Sequence, residues 1–181
     1  MEFKSWPKIQ RLGKNTVTIT EKIDGTNACV IVDNGQVVGA QSRNRLLTLE
    51  DDNMGFANWV EQNKEPLATL GNGYHYGEWA GPGIQKNPHQ LDQKTFFLFD
   101  PRFHGNFEAN PEHPAKKVVS VVPVLYIGPF AEFYVYIALD KLENGEIGVG
   151  AGKVTNPEGI IIYFHAFQQH LKRHLDGRKE N

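Results

Sequence analysis

Five β-branched residues in a row, 16–20 (TVTIT), predict a strand that runs straight into Glu21-Lys22-Ile23-Asp24-Gly25. A second β-rich run at 28–32 meets Asp33-Asn34-Gly35 and resumes at 36–40. Asn-Gly between two such runs predicts a hairpin. From 48 to about 65 the pattern turns helical: Thr48 is placed to cap, acidic residues fill the first turn, and Phe56, Trp59 and Val60 share a face. Pro66 is expected to close that helix. Residues 74–80 and 95–99 predict two aromatic strands around the loop Gly81-Pro82-Gly83. Residues 103–117, with Pro111 and Pro114, predict an exposed polar connector. A strand over 118–124, a helix over 130–142, a turn at 143–146 and a buried strand over 158–164 complete the pattern.

Strands outnumber helices and hairpins join them, so the expected fold class is α+β with mainly antiparallel sheets and flanking helices. The 181 residues contain no repeat and no dividing linker, which predicts a single domain over 1–181. Hydrophobic residues make up 40% and charged residues 22%, the balance of a globular protein. A net charge of −2 argues against coating by nucleic acid through bulk charge and leaves room for a local basic groove. The single cysteine, Cys29, excludes an internal disulfide. No run approaches the roughly 18 apolar residues of a membrane span, so a cytoplasmic location is expected, with no membrane partner.

Candidate chemistry concentrates in a few places. Lys22 at a strand exit is an amine nucleophile if its proton can be removed, and Gly25 and Asn27 supply a tight turn and a short amide beside it. Glu78, before Gly81-Pro82-Gly83, has two oxygens suited to vicinal hydroxyls, and Phe99 is an aromatic surface for a base. Arg43 offers a forked donor to phosphate. Glu158 opens an apolar strand and suits a hard cation near phosphates. Gly148-Val149-Gly150-Ala151-Gly152-Lys153 fails the phosphate-loop spacing, because Ile147 and Val154 stand at required Gly and Ser/Thr positions, and predicts a hairpin. His170 and His174 lack an acidic partner in zinc spacing and are expected to be solvated or to face phosphate.

Glu21-Lys22-Ile23-Asp24-Gly25-Thr26-Asn27 and Gly77-Glu78-Trp79-Ala80-Gly81-Pro82-Gly83-Ile84-Gln85, followed by Phe99-Asp100, Glu158-Gly159 and Lys172, resemble the ATP-dependent RNA ligases of the covalent nucleotidyltransferase superfamily, of the phage and kinetoplastid RNA-editing type. The resemblance runs from about Thr16 to Lys172. It implies the adenylation fold, with a nucleotide cleft between sheets. It implies that Lys22 takes AMP from ATP and passes it to an RNA 5′-phosphate, which a 3′-hydroxyl then attacks. It further implies that Glu21 and Ile23 flank Lys22 where the adenine edge is read partly through main-chain groups, with Asn27 beside the nucleotide and Arg43 on phosphate or sugar. Glu78 falls to the ribose, Phe99 to the adenine, Glu158 to Mg²⁺ (or Mn²⁺) and Lys172 to the α-phosphate. At the position of a second family lysine stands His174, for which Arg173 or Lys179 are candidate substitutes. Nine residues follow Lys172, so no C-terminal OB-fold is expected, and a separate protein partner is a candidate for substrate binding. A DNA ligase, a GTP-using capping-type enzyme and a catalytically silent nucleotide- or RNA-end-binding module are the alternatives. The tail divides the evidence: Phe167, Leu171 and Leu175 recur every four residues as in a helix, whereas the resemblance puts Lys172 on a strand, which is the reading adopted.

Overall fold

The β-branched run at 16–20 lies inside a sheet, with a strand paired on each edge, and Val17 and Ile19 enter the core on one face. The computed structural model describes residues 2–6, 9, 15–153 and 155–175. In chain order the elements are β1 (Thr16–Lys22), β2 (Thr26–Asp33), β3 (Gln36–Ser42), β4 (Leu46–Leu47), α1 (Phe56–Gln62), α2 (Lys64–Ala68), β5 (Gly73–Ala80) and β6 (Thr95–Leu98). There follow α3 (Arg102–Ala109), a 3₁₀ turn (Pro114–Lys117), β7 (Val119–Val121), β8 (Val124–Pro129), α4 (Glu132–Glu143), β9 (Gly159–Phe164) and β10 (Gln169–His174). One sheet has the order β10-β9-β1-β8 and the other β4-β3-β2-β5-β6-β7. The pairings are antiparallel except for β6 with β7. The fold is α+β, as the pattern predicts.

Each sheet has its own core. Val17, Ile19, Ile160, Ile162 and Phe164 pack against Val135, Leu139 and Leu142 of α4. Val30, Trp79, Phe96 and Leu98 pack against Phe56 and Val60 of α1, Leu67 of α2 and Phe103 and Phe107 of α3. A third, small cluster of Ile23, Ala80, Phe97 and Val122 lies where β1 hands the chain to β2. Asn34 (φ 49°) and Gly35 (φ 71°) make the expected hairpin turn. Cys29 is buried on β2, and burial pushes its thiol up to about 11.

Five expectations need correction. The helix does not begin at Thr48: Met54 (φ 53°) and Gly55 (φ 85°) break the chain there, and Thr48 instead closes a turn by accepting from the Asp51 amide at 3.0 Å. Asp52 caps α1, its carboxylate accepting from the amides of Ala57 (2.7 Å) and Asn58 (3.1 Å). Pro66 does not close a helix but sits in the first turn of α2, where a missing N–H costs nothing. The connector at 103–117 is largely α3 and the 3₁₀ turn, because Phe103 and Phe107, one helical turn apart, are both buried. The strand at 118–124 is two strands in different sheets, divided at Pro123. Residues 145–153 form successive turns rather than a hairpin. The tail is a strand, β10, as adopted above; Lys179 lies outside the described residues.

Candidate active site

Alternation along β1 sends Val17, Ile19 and Glu21 toward α4, and Thr18, Thr20 and Lys22 to the opposite face. Lys22 stands opposite Gly159 of β9, which in turn stands opposite His174 of β10. Gly159 has φ 147°, and a Cβ there would run into the Arg173 carbonyl, so glycine permits this close approach. Glu158, immediately before it, accepts from Lys22 Nζ at 2.5 Å, with the two side chains 23% and 16% exposed. His174 Nε2 is 3.6 Å from the other Glu158 oxygen. Lys172, two residues back along β10 and opposite Ile161, shares the His174 face and is exposed. Arg173 takes the other face, its guanidinium 4.7 Å over the Tyr136 ring of α4, and so does not substitute for a second lysine on the Lys22 side.

The second sheet contributes a chain of polar groups. Asn27 stands opposite Glu78 across β2 and β5. Its amide donates to Glu78 Oε2 at 2.8 Å, and its carbonyl accepts from Arg43 Nε at 2.7 Å. Gly25 makes the corner possible, since a Cβ would meet the Trp79 carbonyl. Burial raises the Glu78 carboxyl to about 7, against the opposing pull of nearby Lys22, the Asn27 hydrogen bond and the Arg43 charge; Glu158 adds to the rise. Phe97 pairs with Glu78, and continued alternation puts Phe99 on the same side, its amide bonded to the Tyr76 carbonyl at 2.9 Å and its ring 41% exposed. Asp100 ends that strand and is clamped by Arg102, which holds its carboxyl below the usual range.

The structure thus brings Lys22, Glu158 and His174 into contact, with Lys172 on the same face, and joins Glu78, Asn27 and Arg43 beside them. Ile23 does not line an open surface: it is 3% exposed in the cluster between the sheets. The Glu21 side chain is likewise turned inward, accepting from the Val149 amide at 2.6 Å, while its own amide donates to the Pro123 carbonyl. Sequence reasoning passed over His89, which is 1% exposed against Glu21; one polar residue in a Gly/Pro-rich loop carries no periodic signal. No cluster of three metal-binding side chains occurs among the described residues. Glu158 alone suits a cation of the magnesium kind, which retains waters and substrate phosphates as ligands. His170 packs on Tyr163, with burial holding its pKa below the usual value. Among the described residues, no helix is long and apolar enough to cross a membrane.

The site is thus a strand-end lysine against a carboxylate, in an α+β fold of two antiparallel-rich sheets. Naegleria gruberi RNA ligase, in a mutant form with ATP and Mn, superposes with a TM-score of 0.66 at 20% identity, over 91% of this chain and 51% of that one. A mutant form with AMP and Mn gives 0.64 at 20% identity over 90% and 50%, and the same ligase with PPi gives 0.63 at 20% identity over 89% and 50%. The chain spans about half the length of these solved structures, and at this identity the likeness is one of fold. No curated protein matches the sequence. The RNA ligase family model matches residues 15–173, and the chain belongs to that family.

Proposed function

We propose that this chain is an ATP-dependent RNA ligase-type adenylyltransferase, acting as one adenylation domain. The observation that carries the reading is the Lys22–Glu158 contact beside the Glu78–Asn27–Arg43 chain. The Lys22 ammonium must lose a proton before its nitrogen can attack, and Glu158 Oε2 lies in reach to accept it. The Lys22 nitrogen then bonds to the α-phosphorus of ATP, the bond from that phosphorus to the bridging oxygen breaks, and pyrophosphate leaves with the electron pair. Lys172 stabilises charge on the α-phosphate, Glu78 accepts from ribose hydroxyls, Arg43 and Asn27 hold phosphate or sugar, and Phe99 stacks on adenine. A divalent cation held by Glu158 and the nucleotide phosphates would draw negative charge off the leaving group. AMP passes next to an RNA 5′-phosphate, and an RNA 3′-hydroxyl displaces it to form the phosphodiester. A separate protein partner helping to hold RNA belongs to the same proposal.

The test is incubation with α-³²P-ATP and Mg²⁺ or Mn²⁺, followed by a denaturing gel, acid treatment and a parallel GTP arm. Acid-labile label is expected on the wild type from ATP and none on Lys22→Ala. Label from GTP in preference to ATP would point to capping chemistry, and no label from either would leave a silent binding module. A 5′-phosphorylated RNA added to the labelled protein is expected to receive the AMP.

A further inference from the structure

Two segments flank Lys22, and one buried ring touches both. His89 Nε2 accepts from the Asp24 amide at 3.2 Å. A main-chain amide can only donate, so this nitrogen carries no proton, and in the neutral ring the hydrogen lies on Nδ1. Nδ1 faces Glu21 Oε1 at 3.3 Å, off the line of a well-formed hydrogen bond, with both side chains 1% exposed. The other Glu21 oxygen accepts from the Val149 amide, and Gly148 leaves no room for a Cβ beside that carboxylate. One residue before His89, the Pro88 carbonyl accepts from the Asn156 amide at 3.3 Å, two residues from Glu158. The His89 segment therefore ties together the end of β1, the turn after Lys22, the 148–149 loop and the approach to Glu158. None of these contacts reaches the face on which Lys22 and Glu158 meet.

We infer that His89 is a positioning residue: through the Glu21 side chain and the Asp24 amide it fixes the main chain on both sides of Lys22, and so the direction of the amine. This rests on the adenylyltransferase reading above. Glu21 Oε2 is already satisfied by Val149, so the contact whose loss frees the chain after Lys22 is the one to Asp24. A displacement of about 1 Å at a reacting group costs up to about 100-fold in rate.

The experiment measures single-turnover lysyl-AMP formation against ATP concentration for the wild type and for His89→Ala, His89→Gln and His89→Asn, with a melting curve for each. Gln places an acceptor near the Nε2 position and Asn mimics only Nδ1. His89→Ala and His89→Asn are expected to slow the maximal rate by about 10-fold or more with the half-saturating ATP within about 3-fold, and His89→Gln to recover most of the rate. If Ala does not fold, the Gln–Asn difference decides. Equal loss in Gln and Asn, a loss confined to half-saturating ATP, or a wild-type rate in Ala each overturns the inference and leaves the enzyme reading standing. An unlabelled wild type overturns both. The ¹⁵N-histidine spectrum supplies a readout without activity: a Nδ1–H tautomer at His89 is expected, and a proton on Nε2 overturns the inference.

Discussion

Glu78 sits at a midpoint that few carboxyls share. Its folded pKa of about 7 lies above the 4.5 of a free side chain, so the fold favours the protonated form. The sign follows from linkage: the stabilisation is full below pH 4.5 and is lost as pH rises through 7. Glu78→Gln removes the ionisation while keeping an acceptor for Asn27. Its melting temperature is expected to gain on the wild type between pH 5 and pH 8, by an amount corresponding to at most about 3 kcal/mol. Thermal melts of both proteins across that range measure it, and parallel curves would sink the assignment. In the ribose-binding role proposed for Glu78, pH works in the opposite sense, because ribose hydroxyls donate best to an ionised carboxylate. ATP is therefore expected to bind Glu78→Gln more weakly than wild type at pH 8, with a smaller difference at pH 6, as calorimetry can establish.

Elements with a strong local pattern were legible. TVTIT, the Asn34-Gly35 hairpin and the aromatic run over 74–80 needed only side-chain alternation and turn chemistry to be placed. What failed was decided by main-chain groups and long-range contacts. The start of α1 depends on positive φ at Met54 and Gly55 and on Asp52 collecting two amides, not on Thr48, which matches the cap pattern equally well. Asp52→Ala is expected to lower stability by about 1 kcal/mol in urea unfolding, and Thr48→Ala by less. The period of four in Phe167, Leu171 and Leu175 misleads because Phe167 and Leu171 are exposed, so there is no apolar face for a helix to bury. Of the residues gathered at the candidate site, those with motif neighbours could be named from the sequence, whereas His89 was passed over, since its partners lie 65 and 68 positions away in the chain.

On the scale of the whole molecule, two separately packed sheets meet through a small cluster that contains the residue next to Lys22. Ile23→Ala removes buried methyls from that cluster and is expected to destabilise by about 2–4 kcal/mol, against about 0.5–1.5 for Ile23→Val. Because the cluster ties one sheet to the other, lysyl-AMP formation in Ile23→Val is expected to slow more than in a valine variant at Ile162, which lies within a single sheet's core. Denaturant unfolding and the labelling assay together test this; equal slowing would show that the sheets do not need the cluster to hold register. Cys29 carries a different kind of consequence. A lone thiol that is both walled in and reluctant to ionise hardly reacts with maleimides in the native state. A cysteine introduced at exposed Tyr74 would thus take a single dye without any background substitution, and the folded protein could be watched one molecule at a time.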